Sequence, residues 1–140
     1  NVALGNASLD SGSLSGNYNT AIGNTALTDN TSASSNTAVG YGSQANATTG
    51  SSNTAVGTNS LEANTTGANN TAIGTQALDA NTTASNNTAV GYQAGFSITT
   101  GVSLTAVGYG ALQDNTTGGT NSACDKTAQE NNTTGLDTTE

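Results

Sequence analysis

A five-residue stretch, NTAVG, returns along this chain with a fixed period of 17 residues. It stands at residues 19–23, 36–40, 53–57, 70–74 and 87–91, with Ile for Val in the first and fourth copies. Altered copies follow as LTAVG at 104–108 and NSACD at 121–125. A fixed period of this length is typical of repeat architectures, in which each repeat stacks on its neighbours. The repeat unit therefore decides the fold, and coil positions are counted below from the first residue of this stretch.

The repeat unit is too short for two packed helices, and no apolar stripe of period 3.6 is present. Thr and Val or Ile at alternate positions predict a short strand that ends at the Gly of position 5. The NTT stretch around position 13 predicts a second short strand. Stacking at about 4.8 Å per coil then gives a parallel β-solenoid of about eight 17-residue coils, about 38 Å tall. Residues 1–18 fit the template with one extra residue. Because one period runs through the whole sequence, we predict a single domain over residues 1–140, and we expect it to be a segment of a longer fibre.

Equivalent positions of stacked coils form columns. Position 4 is aliphatic in nearly every coil, and we predict that it packs inward as the core column, with Cys124 as a buried small hydrophobe. The predicted core column is Ile22, Val39, Val56, Ile73, Val90, Val107 and Cys124. Stacked polar side chains predict hydrogen-bonded ladders at positions 1 and 13. The Asn ladder is Asn19, Asn36, Asn53, Asn70 and Asn87, and the Thr ladder is Thr31, Thr48, Thr65, Thr82, Thr99, Thr116 and Thr133.

The composition excludes several classes of function. Only 32% of the 140 residues are hydrophobic, which is too little apolar surface for a globular core of this length. A net charge of −8 makes nucleic acid an unfavourable partner, and no apolar run approaches the roughly 20 residues of a membrane span. With no His, no Arg and a single Cys, a nucleophile–base pair such as Cys–His is impossible. We therefore predict no enzyme and no cofactor.

The stretch at residues 64–74, NTTGANNTAIG, resembles the head repeats of trimeric autotransporter adhesins, and similar repeats occur in phage-type tail fibres. The resemblance covers residues 1–137, although the coil here is longer than in that family and Thr often replaces its Val. It implies a left-handed parallel β-roll, with three chains packed side by side on a bacterial surface.

From the repeat and this resemblance we predict an extracellular structural fibre or adhesin segment at a cell or virion surface. It would assemble with copies of itself as a homotrimer or filament, and a surface receptor or glycan would be a further partner. The repeat-like VALG at the start, in a chain that opens without Met, predicts that the native assembly continues beyond the Asn1 face.

The alternative is a binding module. The Thr column could order water as an ice-binding surface, although ice-binding arrays carry a TxT pattern, and of two adjacent threonines only one can face outward. The tyrosines at position 6 could instead stack on a glycan, with packing next to the preceding glycine as the plainer interpretation. They are Tyr41, Tyr92 and Tyr109.

Two further sets of residues recur. Acids at positions 10 and 11 predict a solvated edge that limits lateral aggregation, with weak Ca²⁺ binding as the alternative; the calcium-roll signature GGxGxD is absent, and we predict no metal site. They are Asp10, Asp29, Glu62, Asp79, Asp114 and Glu130. Ten sequons for N-glycosylation occur, most of them expected from composition alone, and exposed ones would carry glycans in a eukaryotic source. They begin at Asn6, Asn30, Asn46, Asn64, Asn69, Asn81, Asn86, Asn115, Asn131 and Asn132.

Overall fold

A computed structural model of the chain describes residues 1–12, 15–129, 131–136 and 139. Within them the chain is all-β, and eight short parallel strands form one sheet in chain order. Each strand pairs in register with the same coil positions of the next, as Ala38 does with Ala55. The predicted parallel β-solenoid is therefore confirmed. The strands are β1 (Val2–Leu4), β2 (Thr20–Ile22), β3 (Thr37–Val39), β4 (Thr54–Val56), β5 (Thr71–Ile73), β6 (Thr88–Val90), β7 (Thr105–Val107) and β8 (Ser122–Ala123).

The prediction of a second strand around position 13 is wrong, because this stretch is a tight bend. Three consecutive N–H groups, from Thr48, Thr49 and Gly50, donate to one carbonyl of the next coil, that of Thr65, at 3.0, 3.1 and 3.2 Å. A strand would turn successive N–H groups to opposite sides. The convergence on one oxygen therefore bends the chain while still joining it to the next coil.

A glycine at position 5 is required where β1 to β7 end, whereas Asp125 takes this position in the last coil. Gly57 has φ of 137°, and a Cβ atom there would lie 2.5 Å from the carbonyl oxygen of Gly74 in the next coil. A side chain would therefore meet backbone that cannot move without breaking the stack. Positive φ also recurs at positions 7, 9 and 17, occupied for example by Asn59, Leu61 and Asn69.

The inward face of each strand is alanine, not the aliphatic residue that follows it. Ala55 and Ala72 are fully buried, whereas Val56 is 36% exposed and Ile73 is 41% exposed. Cys124 is exposed as well. The predicted core column is therefore wrong: its side chains lie on the outer surface, partly or largely exposed to solvent. This column is Ile22, Val39, Val56, Ile73, Val90, Val107 and Cys124.

Side-chain size explains the reversal. The coil is thin, and its interior is already filled by the leucines of position 9, such as Leu61 and Leu78, and by small residues of position 8, such as Ala77. The strand lies opposite these side chains, and because protein interiors are close-packed, its inward face has room only for a methyl group. The strand therefore turns Ala inward and leaves the larger Val or Ile outside.

Positions 9 and 12 share one compartment of this interior. Four of the eight coils combine Leu with Asn there, whereas one combines Gly95 with Ile98 and another combines Gln44 with Ala47. A Cβ atom on Gly95 would lie 2.7 Å from Ile98 Cδ1, so Ile98 fills the space that leucine occupies elsewhere. In this coil the compartment is therefore filled by an aliphatic side chain from position 12 instead of position 9, which keeps the interior close-packed.

Candidate functional site

The outer face of the sheet, called here the strand face, consists of the side chains at coil positions 2 and 4. The parallel register places Thr54 beside Thr71 and Val56 beside Ile73, about 4.8 Å apart, with about 7 Å between the two columns. The position-2 column is Val2, Thr20, Thr37, Thr54, Thr71, Thr88, Thr105 and Ser122, and the position-4 column is Leu4 followed by the seven residues of the predicted core column.

The strand face is uncharged, and its hydroxyls are free. The side chains of Thr54 and Thr71 have no hydrogen-bond partner among the described residues, and the same is true of the other position-2 threonines. Next to them lies a continuous stripe of partly exposed aliphatic side chains. This face can therefore make apolar contacts and donate hydrogen bonds at regular intervals.

The predicted Asn ladder lies inside the coil, where each Asn side chain forms hydrogen bonds with backbone groups. Asn53 Nδ2 donates to the carbonyl of Gly67 at 2.9 Å, and Asn53 Oδ1 accepts the N–H of Asn70 at 2.8 Å. Asn19, Asn36, Asn70 and Asn87 repeat both bonds. The sequence predicted contacts between stacked amides. In the structure, each buried Asn at this position ties its own coil closed and also holds the next coil.

The predicted Thr column serves the stack. Thr65 Oγ1 donates to the carbonyl of Thr82 at 3.1 Å, and equivalent bonds of 3.0 to 3.3 Å run along the column from Thr31 to Thr133. The hydroxyl protons from Thr31 to Thr116 are therefore used within the stack and are not free to donate to a ligand or to ice. The neighbouring threonines of position 14, such as Thr66 and Thr83, are exposed and have no side-chain partner among the described residues.

Sequence reasoning missed the free threonines of position 2 for one reason. The alternation in TAV indicates two strand faces but does not say which one is inside. Taking Val as buried removed the outer Thr–Val pair from consideration. The small size of the central alanine, constant in all eight coils, was the signal that could have found this face.

The tyrosines of position 6 are all exposed, but two of them cover each other. The rings of Tyr92 and Tyr109 stack with centroids 5.2 Å apart and an interplanar angle of 19°. Lys126 Nζ lies 5.7 Å from the centroid of the Tyr109 ring. Ring faces used in this way are not open to a sugar, which leaves Tyr41 as the tyrosine of the column without a stacked aromatic neighbour among the described residues.

The acidic residues of positions 10 and 11 do not form a metal centre in the part of the chain that the structure describes, where no group of three or more potential ligands occurs. Burial, followed by the nearby charge of Glu62, raises the pKa of Asp79 to about 6. Asp79 Oδ1 is buried without a partner among the described residues. The predicted edge residue Glu130 lies outside the described residues.

The raised pKa of Asp79 predicts a stability that depends on pH. The folded state binds the carboxyl proton of Asp79 more tightly than the unfolded state does. The contribution of this protonation to the stability of the fold is therefore complete at low pH and is lost as pH rises from about 4 through 6. We expect Asp79→Asn to raise the free energy of unfolding at pH 7 by about 1 kcal/mol, allowing for solvent screening, and to change little at pH 4. Thermal melts followed by circular dichroism at both pH values measure this difference.

The matched control is Asp29→Asn, at an exposed carboxylate of the same acidic edge. Equal effects of the two substitutions at pH 7 would contradict the role given to burial at Asp79.

Fold and site together define a parallel β-solenoid with one uncharged, regularly repeating outer sheet face. A comparison with protein-family models finds no match, and comparisons with curated proteins and with solved structures also find none. Among the described residues no helix is long and apolar enough to cross a membrane.

Proposed function

We propose that this chain is a segment of an extracellular structural fibre or adhesin, at a cell or virion surface, which assembles with copies of itself through the strand face. The observation that supports this proposal is the continuous column of partly exposed aliphatic side chains at position 4, which includes Ile22, Val56 and Val107. The resemblance to adhesin head repeats, in which three chains pack side by side, points in the same direction.

Charge favours a second copy at this face over other parts of the surface. With a net charge of −8 and a single Lys, two copies repel one another wherever their acidic edges approach. The strand face carries no ionisable group except the thiol of Cys124. Contact through this face leaves the carboxylates of positions 10 and 11 outside the contact, so association does not remove them further from water.

The size of the face sets the expected strength of association. Eight strands at about 4.8 Å, with a width of roughly 10 Å, present about 400 Å² per copy, below the roughly 800 Å² per partner of a stable complex. Association of this segment is therefore weak, and each added coil strengthens it. A homotrimer or filament of longer chains satisfies this requirement better than an isolated pair.

The test is sedimentation over a range of concentrations. Wild-type protein should show a mass that rises with concentration, towards three chains for a homotrimer. The double variant Val56→Asp/Ile73→Asp should stay monomeric with an unchanged circular dichroism spectrum, because like charges then oppose each other across the contact. The double variant Thr66→Asp/Thr83→Asp adds the same charge to the exposed position-14 column and should associate as the wild type does. A wild-type monomer at all concentrations, or equal loss in both variants, would contradict the proposal.

A binding function of the same face is the second candidate, favoured by the free hydroxyls of position 2. Alternating Thr and Val columns at fixed spacing can hold an ordered water layer, as an ice-binding surface requires. Faceted ice crystals grown in dilute protein, lost in Thr54→Tyr/Thr71→Tyr, would support ice binding. Round crystals would leave self-assembly as the function. Glycan binding would instead use the exposed ring of Tyr41 at position 6, which is not part of the strand face, and would be abolished by Tyr41→Ala.

A further inference from the structure

The ten sequons of the chain are equivalent as motifs, but the coil gives them very different environments. A transferase needs the amide of the acceptor Asn and the hydroxyl two residues later, so both groups must be accessible and unbonded in the folded chain. Burial and hydrogen bonding separate the sequons into three groups.

The first group lies inside the solenoid at position 12. Asn64 is fully buried, and its Nδ2 donates to the carbonyl of Gly67 at 3.0 Å. Asn81 and Asn30 are bound in the same way to the carbonyls of Ala84 and Ala33. Asn115 is also fully buried, and Asn132 donates to Gln129 and accepts from Gly135. Four of these amides are held by hydrogen bonds, and that of Asn115 is closed by burial alone, since its side chain has no partner among the described residues.

The second group exposes the acceptor but uses the hydroxyl. Asn46 is exposed, yet Thr48 Oγ1 donates to the carbonyl of Thr65 at 3.0 Å. Asn6 is exposed, yet Ser8 Oγ donates to the carbonyl of Gly5 at 3.0 Å. A transferase would have to displace a bond between two coils at Asn46 and a bond within a single turn at Asn6.

In the third group, both the Asn amide and the Thr hydroxyl are free. It contains Asn69 and Asn86, which occupy coil position 17 in consecutive coils. Both residues are exposed with φ of 58° and 64°, and neither side chain has a partner among the described residues. Their third residues, Thr71 and Thr88, belong to the free hydroxyl column of the strand face. Asn131 is exposed as well but adjoins Glu130, which lies outside the described residues.

We propose that Asn69 and Asn86 are N-glycosylation sites of the folded chain, which take a sugar from a donor activated as a diphosphate ester. In the transfer the side-chain nitrogen forms a bond to the anomeric carbon. The bond from that carbon to the diphosphate oxygen breaks, the nucleoside or lipid diphosphate leaves with the electron pair, and the amide proton passes to a base of the transferase. The Asn amide keeps one N–H, and no oxidant or reductant is needed.

The test uses the folded 140-residue chain, a purified N-glycosyltransferase that reads the same sequon, and its sugar nucleotide, with occupancy mapped by mass spectrometry. A synthetic peptide of residues 62–73 contains both the Asn64 and the Asn69 sequons without the fold and should be modified at both. In the folded chain we expect occupancy at Asn69 and Asn86 to exceed that at Asn64 and Asn81 by about tenfold or more, because a buried amide reacts only after local opening.

The matched variant is Thr71→Val, which removes the sequon hydroxyl and keeps the shape of the side chain on the outer face. It should abolish modification of Asn69 and leave Asn86 unchanged. Comparable occupancy at Asn64 and Asn69 in the folded chain would overturn the proposal, as would unmodified Asn69 and Asn86 beside a modified peptide. Neither result bears on self-assembly, which sedimentation of the unmodified chain measures separately.

Discussion

Replacement of Ala55 by aspartate is expected to unfold the solenoid, while the same replacement one residue later at Val56 is tolerated. Ala55 is fully buried and stacks between Ala38 and Ala72 in the neighbouring strands. A carboxylate there has no space and no cation to pair with, since Lys126 is the only basic residue and lies in the last coil. We expect a loss of about 4 kcal/mol or more in the free energy of unfolding.

Val56→Asp is the matched comparison, because the charge is identical and the position differs by one residue. Its side chain points to solvent, so we expect a change within about 1 kcal/mol. Chemical denaturation followed by circular dichroism measures both variants. Unfolding of Val56→Asp together with a stable Ala55→Asp would show that position 4 is the inner face after all, as the sequence alone suggested.

Loss of a single buried asparagine is expected to have the second-largest effect. Asn53→Ala removes the bond to the Gly67 carbonyl and also leaves the N–H of Asn70 buried without its partner. Two lost bonds and one unsatisfied donor together cost about 3 kcal/mol, which lowers the melting temperature by roughly 10 °C. Scanning calorimetry should resolve a change of this size.

Asn24→Ala provides the control for this measurement. Asn24 is exposed at position 6, and its side chain has no hydrogen-bond partner among the described residues. Its replacement should change stability by less than about 0.5 kcal/mol. Similar melting temperatures for the two variants would mean that the buried ladder contributes little, and that backbone pairing and alanine packing alone hold the coils together.

The ladder could be predicted from sequence in part. Recurrence of Asn at position 1 indicates a column, because equivalent residues of stacked coils must lie above one another. The partner could not be predicted, since the carbonyl of Gly67 comes within reach of Asn53 only after the chain has bent around residues 64–67. In the same bend the hydroxyl of Thr65 donates to the carbonyl of Thr82 in the next coil, although the sequence had left this hydroxyl open for a ligand.

The sequence by itself determined the period, the strand at TAV, the glycine that ends it and the stacking of eight coils. These features follow from local backbone preferences and from a repeat that admits one register only. Tertiary structure decided which strand face is inside, and therefore where the functional surface lies. Alternation gives two equivalent faces, and hydrophobicity alone would have buried Val56. The limited width of a coil already occupied by Leu61 admits only the methyl group of Ala55, and this turns the aliphatic column outward.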